Sequence, residues 1–243
     1  MSDQDWLHDS RAIREILFFS DAPAVAGSWP MTVPAVAQLK EGLELPAGVT
    51  FLVGENGSGK STVLEGIAMA FGFPAEGGSR NGGTSTRSSE SPLGEWLNLR
   101  RGLVSPKWGF FLRAETMHGY YSYLESLGFQ DADLHEMSHG ESFLALLDRK
   151  IDSPGFFCLD EPEAALSFSS TLRYLGQLDA LAKAGAQIVC ATHSPVLASL
   201  PGATILELGE WGIRETEWED LEIVQHWRLF LDAPGRYLRH LID

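Results

Sequence analysis

Residues 54–61, with the sequence GENGSGKS, combine small residues with one lysine and one terminal hydroxyl group. They match the pattern G-x-x-x-x-G-K-[ST] at every fixed position, and its glycines leave room for backbone N–H groups to turn inward around phosphate oxygens. Lys60 can reach the β- and γ-phosphates of a nucleotide, and the Ser61 hydroxyl can ligate Mg²⁺. We therefore expect a phosphate-binding loop formed by Gly54, Glu55, Asn56, Gly57, Ser58, Gly59, Lys60, Ser61 and Thr62.

Both flanks of this loop have the sequence that a phosphate site requires. Residues 49–53 are a short apolar run and predict a buried strand. Residues 62–70 predict a helix with one apolar face, and the positive end of its dipole would point at the phosphates. A glycine-serine loop without a ligand is the alternative, and the strand–loop–helix context argues against it.

Two adjacent carboxylates follow a second apolar run. Residues 156–162 read FFCLDEP, and a continuous apolar run is typical of a strand buried in a parallel sheet. Asp160 would then lie at the carboxyl end of that strand, where open α/β sheets bind ligands. We expect Asp160 to hold Mg²⁺ and Glu161 to polarise or deprotonate an attacking water. The alternative is a surface turn with two solvated acids, which would not need a buried strand before it.

A histidine follows a third apolar run, in the segment QIVCATHSP at residues 187–195. A single histidine at a strand end is more often structural than catalytic. Its strand is the next one after the acidic strand, so a right-handed crossover would place His193 on the same edge of the sheet. There it could bind a γ-phosphate oxygen and orient the water. Ser194 and Pro195 also predict the start of a helix, as N-cap and first helical residue.

The segment MSHGES at residues 137–142 contains a serine with a glutamate three positions later. By itself this spacing predicts only a capping box at the start of a helix, with Ser138 as the N-cap. Its position 22 residues before Asp160 favours a functional role for the segment in addition to the capping box. The four motifs, in this order, resemble the ABC-type ATPases, in which a phosphate loop, a signature segment, an acidic strand end and a switch histidine follow one another.

The resemblance implies both a fold and a mechanism. The fold would be α/β: a P-loop NTPase with an ABC-type ATPase head, a mostly parallel central sheet flanked by helices, an N-terminal antiparallel β layer and a short helical subdomain. Residues 1–243 would form a single domain, with the helical subdomain at about residues 93–150. ATP would be hydrolysed with Mg²⁺ as cofactor by a head-to-tail dimer. Each ATP would lie between the phosphate loop of one subunit and Ser138 and Gly140 of the other.

Several positions depart from the pattern of that superfamily. His139 replaces the first glycine of the signature, Glu141 replaces its usual glutamine, and Ser167 stands where many relatives have an aspartate. The glutamine of the Q-loop is not evident in the sequence. Arg113 and Glu115 lie near its place and are the candidates to replace it.

Trp29 precedes the phosphate loop at about the distance at which relatives place an aromatic residue that stacks on adenine. Tryptophan suits that task because its large ring binds flat surfaces well. An ordinary aromatic residue in a loop or in the core is an equally good interpretation. We therefore keep Trp29 as a candidate nucleotide contact.

The branch of the superfamily is indicated by the absence of a heptad repeat and by the sequence of four segments. No heptad repeat runs between the loop and the signature, so the coiled-coil arms of the SMC and RecN-like repair ATPases are absent. The segments GENGSGKST, EGGSRN, FFLRAE and MSHGESFLALL look like a group of small, stand-alone bacterial ATPases. The alternatives are the ATP-binding subunit of a membrane ABC transporter and a RecF-like DNA-repair ATPase.

Charge and composition limit the partners. The chain has 18 basic and 33 acidic residues, a formal net charge of −15, which disfavours nucleic acid and anionic membranes as main partners. No apolar run is long enough for membrane insertion, and the acidic first residues are unlike a signal peptide. Cys158 and Cys190 fall in predicted buried strands, which favours inert thiols and a cytoplasmic location. We expect ATP, a second copy of the chain and an unidentified protein as partners.

The remaining chain fits the same domain. Residues 14–20 and 35–45 are expected to supply strands of the antiparallel layer, and residues 203–208 and 213–217 are expected to form a hairpin. Helices are expected at residues 115–128, 137–150, 163–184, 219–231 and 235–242.

Overall fold

The computed structural model of the chain describes residues 9–79, 91–103, 105–106, 108–113 and 154–239. Ser138, Gly140 and the helices expected at residues 115–128 and 137–150 lie outside these residues.

The described residues form nine strands and six α-helices. The strands are β1 (Glu15–Phe18), β2 (Leu43–Glu44), β3 (Gly48–Val53), β4 (Leu97–Arg100), β5 (Gly109–Arg113), β6 (Phe156–Asp160), β7 (Gln187–Thr192), β8 (Thr204–Gly209) and β9 (Gly212–Glu215). The α-helices are α1 (Pro34–Gln38), α2 (Lys60–Phe71), α3 (Leu93–Trp96), α4 (Phe168–Lys183), α5 (Glu222–Asp232) and α6 (Pro234–Leu238).

The central sheet has six strands in the order β5-β6-β7-β3-β8-β9. Every neighbouring pair is parallel except β8 and β9, which form the expected hairpin. This confirms the α/β class and the mostly parallel sheet. The carboxyl ends of β3, β6 and β7 therefore lie along one edge, which is where such sheets bind ligands.

Helices cover both faces of this sheet because its inner strands are apolar on both faces. One core layer includes Leu64 of α2, and the other includes Tyr174 of α4. Cys158 belongs to the first layer and Cys190 to the second, so the two thiols lie on opposite faces of the sheet. Burial raises the pKa of both thiols well above its ordinary value, in agreement with the expected inert cysteines.

A second, antiparallel sheet has the order β2-β1-β4 and confirms the expected N-terminal layer. Residues 35–45 supply the expected strand of this layer only as β2, which has two residues, because α1 and a 3-10 turn occupy most of that segment. Pro34 occupies the first helical position, and Ala35, Val36 and Leu39 are buried at helical spacing. The apolar residues of this segment thus follow the period of a helix.

The helical subdomain expected at about residues 93–150 is only partly within the described residues. There, α3 has four residues, β4 joins the antiparallel sheet and β5 joins the central sheet. The segment before residue 114 is therefore mainly strand. Beyond it, the helical subdomain stays a prediction, and so does the single domain over residues 1–243.

The helix expected over residues 163–184 begins later than predicted. Ser167 is the N-cap of α4, and its hydroxyl accepts a hydrogen bond from the Ser170 N–H at 3.2 Å. The residues before it, Pro162–Ala165, form a separate 3-10 turn.

The helix start predicted at Ser194 and Pro195 leads to a single 3-10 turn and not to an α-helix. Ser194 does accept a capping hydrogen bond from the Leu197 N–H at 3.3 Å, but only one 3-10 turn, Leu197–Ser199, comes after it. Leu200 has extended backbone angles because it precedes Pro201, and a residue before proline is disfavoured in a helix.

The helices α1 to α6 are all too short or too polar to cross a membrane; this holds for the part of the chain that the structure describes.

Gly109 sets how closely β5 can approach β6. A Cβ at this position would collide with the carbonyl oxygen of Phe156, its partner in the strand register. Gly109→Ala should therefore lower the free energy of unfolding by about 1–3 kcal/mol or more, which is the usual cost of overpacking. Urea denaturation of the variant measures this change.

Gly176→Ala in α4 is the matched control for this substitution, since nothing lies within 4 Å of a Cβ there. We expect it to raise the free energy of unfolding by about 0.5–1 kcal/mol, because alanine favours the helix. If Gly109→Ala were as stable as the wild-type chain, the close spacing of β5 and β6 would be wrong.

Candidate active site

The segment between β3 and α2 forms the expected loop, with α2 beginning at Lys60. Gly57 and Gly59 have φ angles of 86° and 97°, in the left-handed region that favours glycine. A Cβ on Gly59 would also collide with the Val33 side chain, and one on Gly54 would collide with the carbonyl oxygen of Leu208. The glycines are thus required by the backbone shape of the loop and by its close packing.

Lys60 is 4% exposed and lies under the loop. Its Nζ donates hydrogen bonds to the carbonyl oxygens of Gly54 at 2.8 Å and Glu55 at 2.9 Å. Burial lowers the pKa of Lys60 below its ordinary value, and the carboxylates of Glu161 and Asp160 oppose this shift. The ammonium group is therefore surrounded by the first residues of its own loop and by the acidic strand end.

Ser61 and Asp160 lie in direct contact. The Ser61 hydroxyl donates a hydrogen bond to Asp160 Oδ1 at 2.9 Å, and the Asp160 side chain is buried. Arg113, at the end of β5, lies opposite Asp160 in the strand register, with its Nε 3.6 Å from Asp160 Oδ2. The same arginine forms a 2.8 Å ion pair with Glu65 of α2. Of the two candidates for the Q-loop position, Arg113 therefore contacts the site, whereas Glu115 lies outside the described residues.

Glu161 follows β6 in a left-handed conformation, with a φ of 48°. It is the one described residue other than glycine with a positive φ, and such a conformation costs about 1–3 kcal/mol unless its surroundings impose it. Its N–H donates a 2.9 Å hydrogen bond to the Ala191 carbonyl oxygen in the neighbouring strand β7. This contact fixes the point at which the chain leaves the sheet and turns the Glu161 side chain toward His193.

His193 follows the last residue of β7 and is half-exposed. Its Nδ1 lies 3.4 Å from Glu161 Oε1 and 3.9 Å from Glu163 Oε1. The expected juxtaposition of the acidic strand end and the histidine is therefore present. With Nδ1 facing carboxylates, Nε2 is the ring nitrogen left for a substrate oxygen.

Glu163 is a site residue that the sequence reasoning missed. Its carboxylate is buried and accepts hydrogen bonds from the Thr192 hydroxyl and, at 3.1 Å, from the His193 N–H. The available signal was a third acid closely following Asp160 and Glu161. That signal was weak, because the acid lies in a segment that was expected to be the first turn of a helix.

The donor groups at this edge fit a triphosphate and Mg²⁺. Ser61 and Asp160 offer two hard oxygen ligands, and Mg²⁺ usually takes one or two protein ligands together with waters and phosphates. In the described residues no group of three or more histidines, cysteines or acids could hold a metal by itself. The buried Ser58 hydroxyl oxygen has no hydrogen-bond partner among the described residues, as expected for a loop that needs a ligand.

Trp29 lies in the segment that leads to Val33, whose side chain packs against Gly59 of the loop. Its side chain is 54% exposed, so it is not a core residue. Ser138 and Gly140, the expected contacts from a second subunit, lie outside the described residues.

A cleft of about 500 Å³ borders the loop on the side of the β8–β9 hairpin. Its walls include Gly54–Ser58 together with Trp211 and Glu222. Asp160, Glu161 and His193 do not line it, so the cleft is separate from the acidic strand end where the chemistry is expected. Trp211 is held in place by Arg214, whose guanidinium stacks 3.9 Å from the centre of the ring.

Two models of protein families match parts of the chain. One is described as "AAA domain" and matches residues 37–99. The other is described as "AAA domain, putative AbiEii toxin, Type IV TA system" and matches residues 120–199.

Two known proteins are similar over more of the chain. The cytochrome c biogenesis ATP-binding export protein CcmA of Rhodospirillum rubrum is 30% identical over 214 residues, which span 78% of this chain and 88% of that protein. The manganese transport system ATP-binding protein MntA of Synechocystis sp. is 28% identical over 179 residues, which span 64% of this chain and 67% of that protein.

Solved structures of transporter ATPases are also similar at a lower level. The protein cbiO1 from Clostridium perfringens, part of the ABC transporter complex cbiONQ, has a TM-score of 0.43 and 15% identity, with 83% of this chain and 90% of that chain covered. An ATP-binding cassette of an ABC transporter has a TM-score of 0.43 and 13% identity, with 76% and 90% covered.

The similarity to CcmA extends over most of both chains. In this chain a phosphate loop, an acidic strand end and a histidine are brought by the fold to one edge of a parallel sheet. The chain therefore belongs to the ABC-type superfamily of P-loop ATPases and is an ATP hydrolase.

Proposed function

We propose that this chain is a stand-alone, Mg²⁺-dependent ATP hydrolase of the cytoplasm that works as an ATP-sandwich homodimer. One observation carries the proposal: the side chains of Lys60, Ser61, Asp160, Glu161 and His193 meet at one edge of the central sheet. Each has the chemical type that binding or cleaving a triphosphate requires.

The loop and the start of α2 bind the triphosphate. The first N–H groups of α2 have no partner within the helix, and the helix dipole favours an anion at that end. Lys60 would exchange its contacts with the carbonyl oxygens of Gly54 and Glu55 for phosphate oxygens. Since the ammonium group is already buried, most of its desolvation is complete before the substrate binds.

Ser61 and Asp160 would hold Mg²⁺ in place of the hydrogen bond that they share. The ion would neutralise negative charge on the β- and γ-phosphates. Arg113 orients Asp160 from the opposite side, and its own charge is balanced by the ion pair with Glu65.

Glu161 and His193 act on the cleavage step. Glu161 orients the attacking water and accepts its proton, and the carboxylate is partly exposed and therefore reachable by water. His193 presents Nε2 toward a γ-phosphate oxygen, because its Nδ1 faces the carboxylates. The left-handed backbone at Glu161 holds this carboxylate in place before substrate binds.

The second subunit would supply Ser138 and Gly140 to the phosphates. The dimer seam would include the segment between β6 and α4, which carries the catalytic carboxylate. Phe168 and Leu172 lie on one side of the first turns of α4, and both are exposed in the single chain. Large exposed apolar side chains beside a polar site favour contact with another protein surface.

A second function is favoured by the names of the relatives. CcmA is named as an export protein and MntA as part of a manganese transport system, which makes a transporter's ATP-binding subunit the second candidate. Detergent extraction of natively expressed, tagged chain distinguishes the two. Recovery together with an integral membrane protein favours the transporter subunit, and recovery without one, with ATPase activity, favours the stand-alone enzyme.

Lys60→Ala should greatly weaken nucleotide binding. Loss of a buried, charge-assisted contact with phosphate costs about 2–3 kcal/mol, or roughly 30- to 150-fold in affinity. Lys183→Ala is the matched control, since that lysine is exposed and forms an ion pair with Asp179 on the surface of α4. Calorimetric titration with Mg-ATP measures both, and equal affinity in the wild type and Lys60→Ala would overturn the assignment of the loop.

Trp29→Ala should weaken ATP affinity by about 1–3 kcal/mol if the ring stacks on adenine. Trp227→Ala is the control, because that tryptophan is similarly exposed but lies on α5 and does not line the cleft beside the loop. Titration with ATP and with inorganic triphosphate separates base binding from phosphate binding. An unchanged ATP affinity of Trp29→Ala would assign Trp29 to an ordinary loop position.

Glu161→Gln should retain ATP binding and lose hydrolysis. Glutamine keeps the size and the hydrogen bonds of glutamate but cannot accept a proton, so we expect kcat to fall by about 10²–10⁴-fold. Removal of the carboxylate also relieves repulsion against the γ-phosphate, so the variant should accumulate as an ATP-bound dimer.

Sedimentation of Glu161→Gln with Mg-ATP at tens of micromolar tests the dimer. The exposed Glu219→Gln is the control for loss of one negative charge and should behave as the wild type. A variant that binds ATP but stays monomeric would refute the composite site, while leaving ATP binding by the loop intact.

A further inference from the structure

Glu163 is a buried acid on the segment that follows the catalytic carboxylate. It lies in the 3-10 turn Pro162–Ala165, and its side chain turns back under the sheet edge, where it is 8% exposed. Burial of a carboxylate is unfavourable unless hydrogen bonds compensate it. Its position therefore depends on the groups that it contacts.

Those groups are the last residue of β7 and the histidine after it. Glu163 Oε1 accepts hydrogen bonds from the Thr192 hydroxyl and from the His193 N–H, the latter at 3.1 Å. Thr192 Oγ1 in turn accepts a 2.9 Å hydrogen bond from the Ser194 N–H. One carboxylate thus fixes the backbone on both sides of His193.

The contacts join the two halves of the cleavage site. The turn that carries Glu163 begins directly after Glu161, and Glu163 holds the segment that carries His193. The distance between Glu161 Oε1 and His193 Nδ1, 3.4 Å, is therefore set through Glu163 as well as through the sheet. The other carboxylate oxygen, Oε2, is buried and has no hydrogen-bond partner among the described residues. Such an incompletely satisfied acid adds little stability, so a contribution to the site is the better explanation for it.

We propose that Glu163 is a positioning residue for hydrolysis, which holds His193 in register with Glu161 by binding the Thr192 hydroxyl and the His193 N–H. The inference rests on the proposed role of His193 in the cleavage step. Among the described residues, the side-chain hydrogen bonds of Glu163 go to Thr192 and His193 and not to the loop, and its carboxylate acts on Lys60 only through charge, less than Glu161 and Asp160 do. Its loss should therefore lower kcat and leave the KM for ATP nearly unchanged.

The test is a double-mutant cycle on steady-state ATPase activity. A misplacement of about 1 Å at a reacting group can cost on the order of 10²-fold, so we expect Glu163→Ala to lower kcat by about 10- to 100-fold. In a His193→Ala background the same substitution should change kcat by less than about twofold, because residues that act through one another are not additive. Glu163→Gln, which keeps an acceptor oxygen, should recover part of the activity.

Glu207→Ala is the matched control, because Glu207 is an equally buried carboxylate, bonded to Arg214 and to the Glu222 N–H on the other side of β3. Its effect should multiply with that of His193→Ala, as expected for a loss of stability alone. Thr192→Val and Thr192→Ser give a second route if Glu163→Ala does not fold: only the valine variant, which lacks the hydroxyl, should lose kcat.

The outcomes separate this inference from the proposed function. Independent, multiplicative effects of Glu163→Ala and His193→Ala would overturn the positioning role, as would an effect on KM rather than on kcat. If His193→Ala itself left kcat unchanged, both the positioning role and the proposed role of His193 would be wrong, whereas the loop and Glu161 would be unaffected. ATP binding measured on the same variants shows that the nucleotide site is intact.

Discussion

The ammonium group of Lys60 is buried at the carboxyl edge of the central sheet. The groups that compensate its buried charge determine how the site around it is arranged. Two carbonyl oxygens of the loop accept its protons, and Asp160 and Glu161 supply negative charge nearby. A buried cation without such partners would be strongly unfavourable. The loop, the start of α2 and the end of β6 are therefore one electrostatic unit. A change in any of these elements alters the field that a phosphate group meets.

A second chain of charges runs from α2 to the edge strand β5. Glu65 binds Arg113, Arg113 faces Asp160, and Asp160 accepts the Ser61 hydroxyl. Arg113 is one of the two candidates for the position of the Q-loop glutamine, and it brings a cation to this edge of the sheet. A positive charge so close to the proposed Mg²⁺ site would repel the ion if it were unbalanced, and the ion pair with Glu65 would reduce that repulsion. The pairing of β5 with β6 thus packs the two strands together and also places the charge of Arg113 next to Asp160.

The sequence was sufficient to predict an element where its pattern of residues is compatible with only one kind of structure. Three apolar runs ending in Val53, Asp160 and Thr192 predicted parallel strands, and their shared edge followed from the handedness of crossovers. The sequence was insufficient where the spacing of apolar residues was compatible both with the period of a strand and with that of a helix. Residues 35–41 form a helix and a turn because Pro34 starts a helix there, and only β2 at the end of the expected segment is a strand.

Local signals were also overridden by residues further along the chain. The helix start at Ser194 was a sound capping pattern, but Pro201 limits the helix to one turn. The role of Glu163 could not be predicted from its type, because a glutamate in a turn is usually solvated and only the fold brings it under Thr192. The periodicity and spacing of residues could not predict contacts between segments that are distant in the chain.

The placement of Cys158 and Cys190 on opposite faces of the same sheet has a practical consequence for spectroscopy. Both thiols are fully buried, and burial keeps them in the unreactive protonated form. They are the two cysteines of the whole sequence, so the native chain offers no accessible thiol to a maleimide or nitroxide reagent. A single cysteine introduced on the surface would therefore carry a fluorescent or paramagnetic label site-specifically, and the packed core could be left as it is.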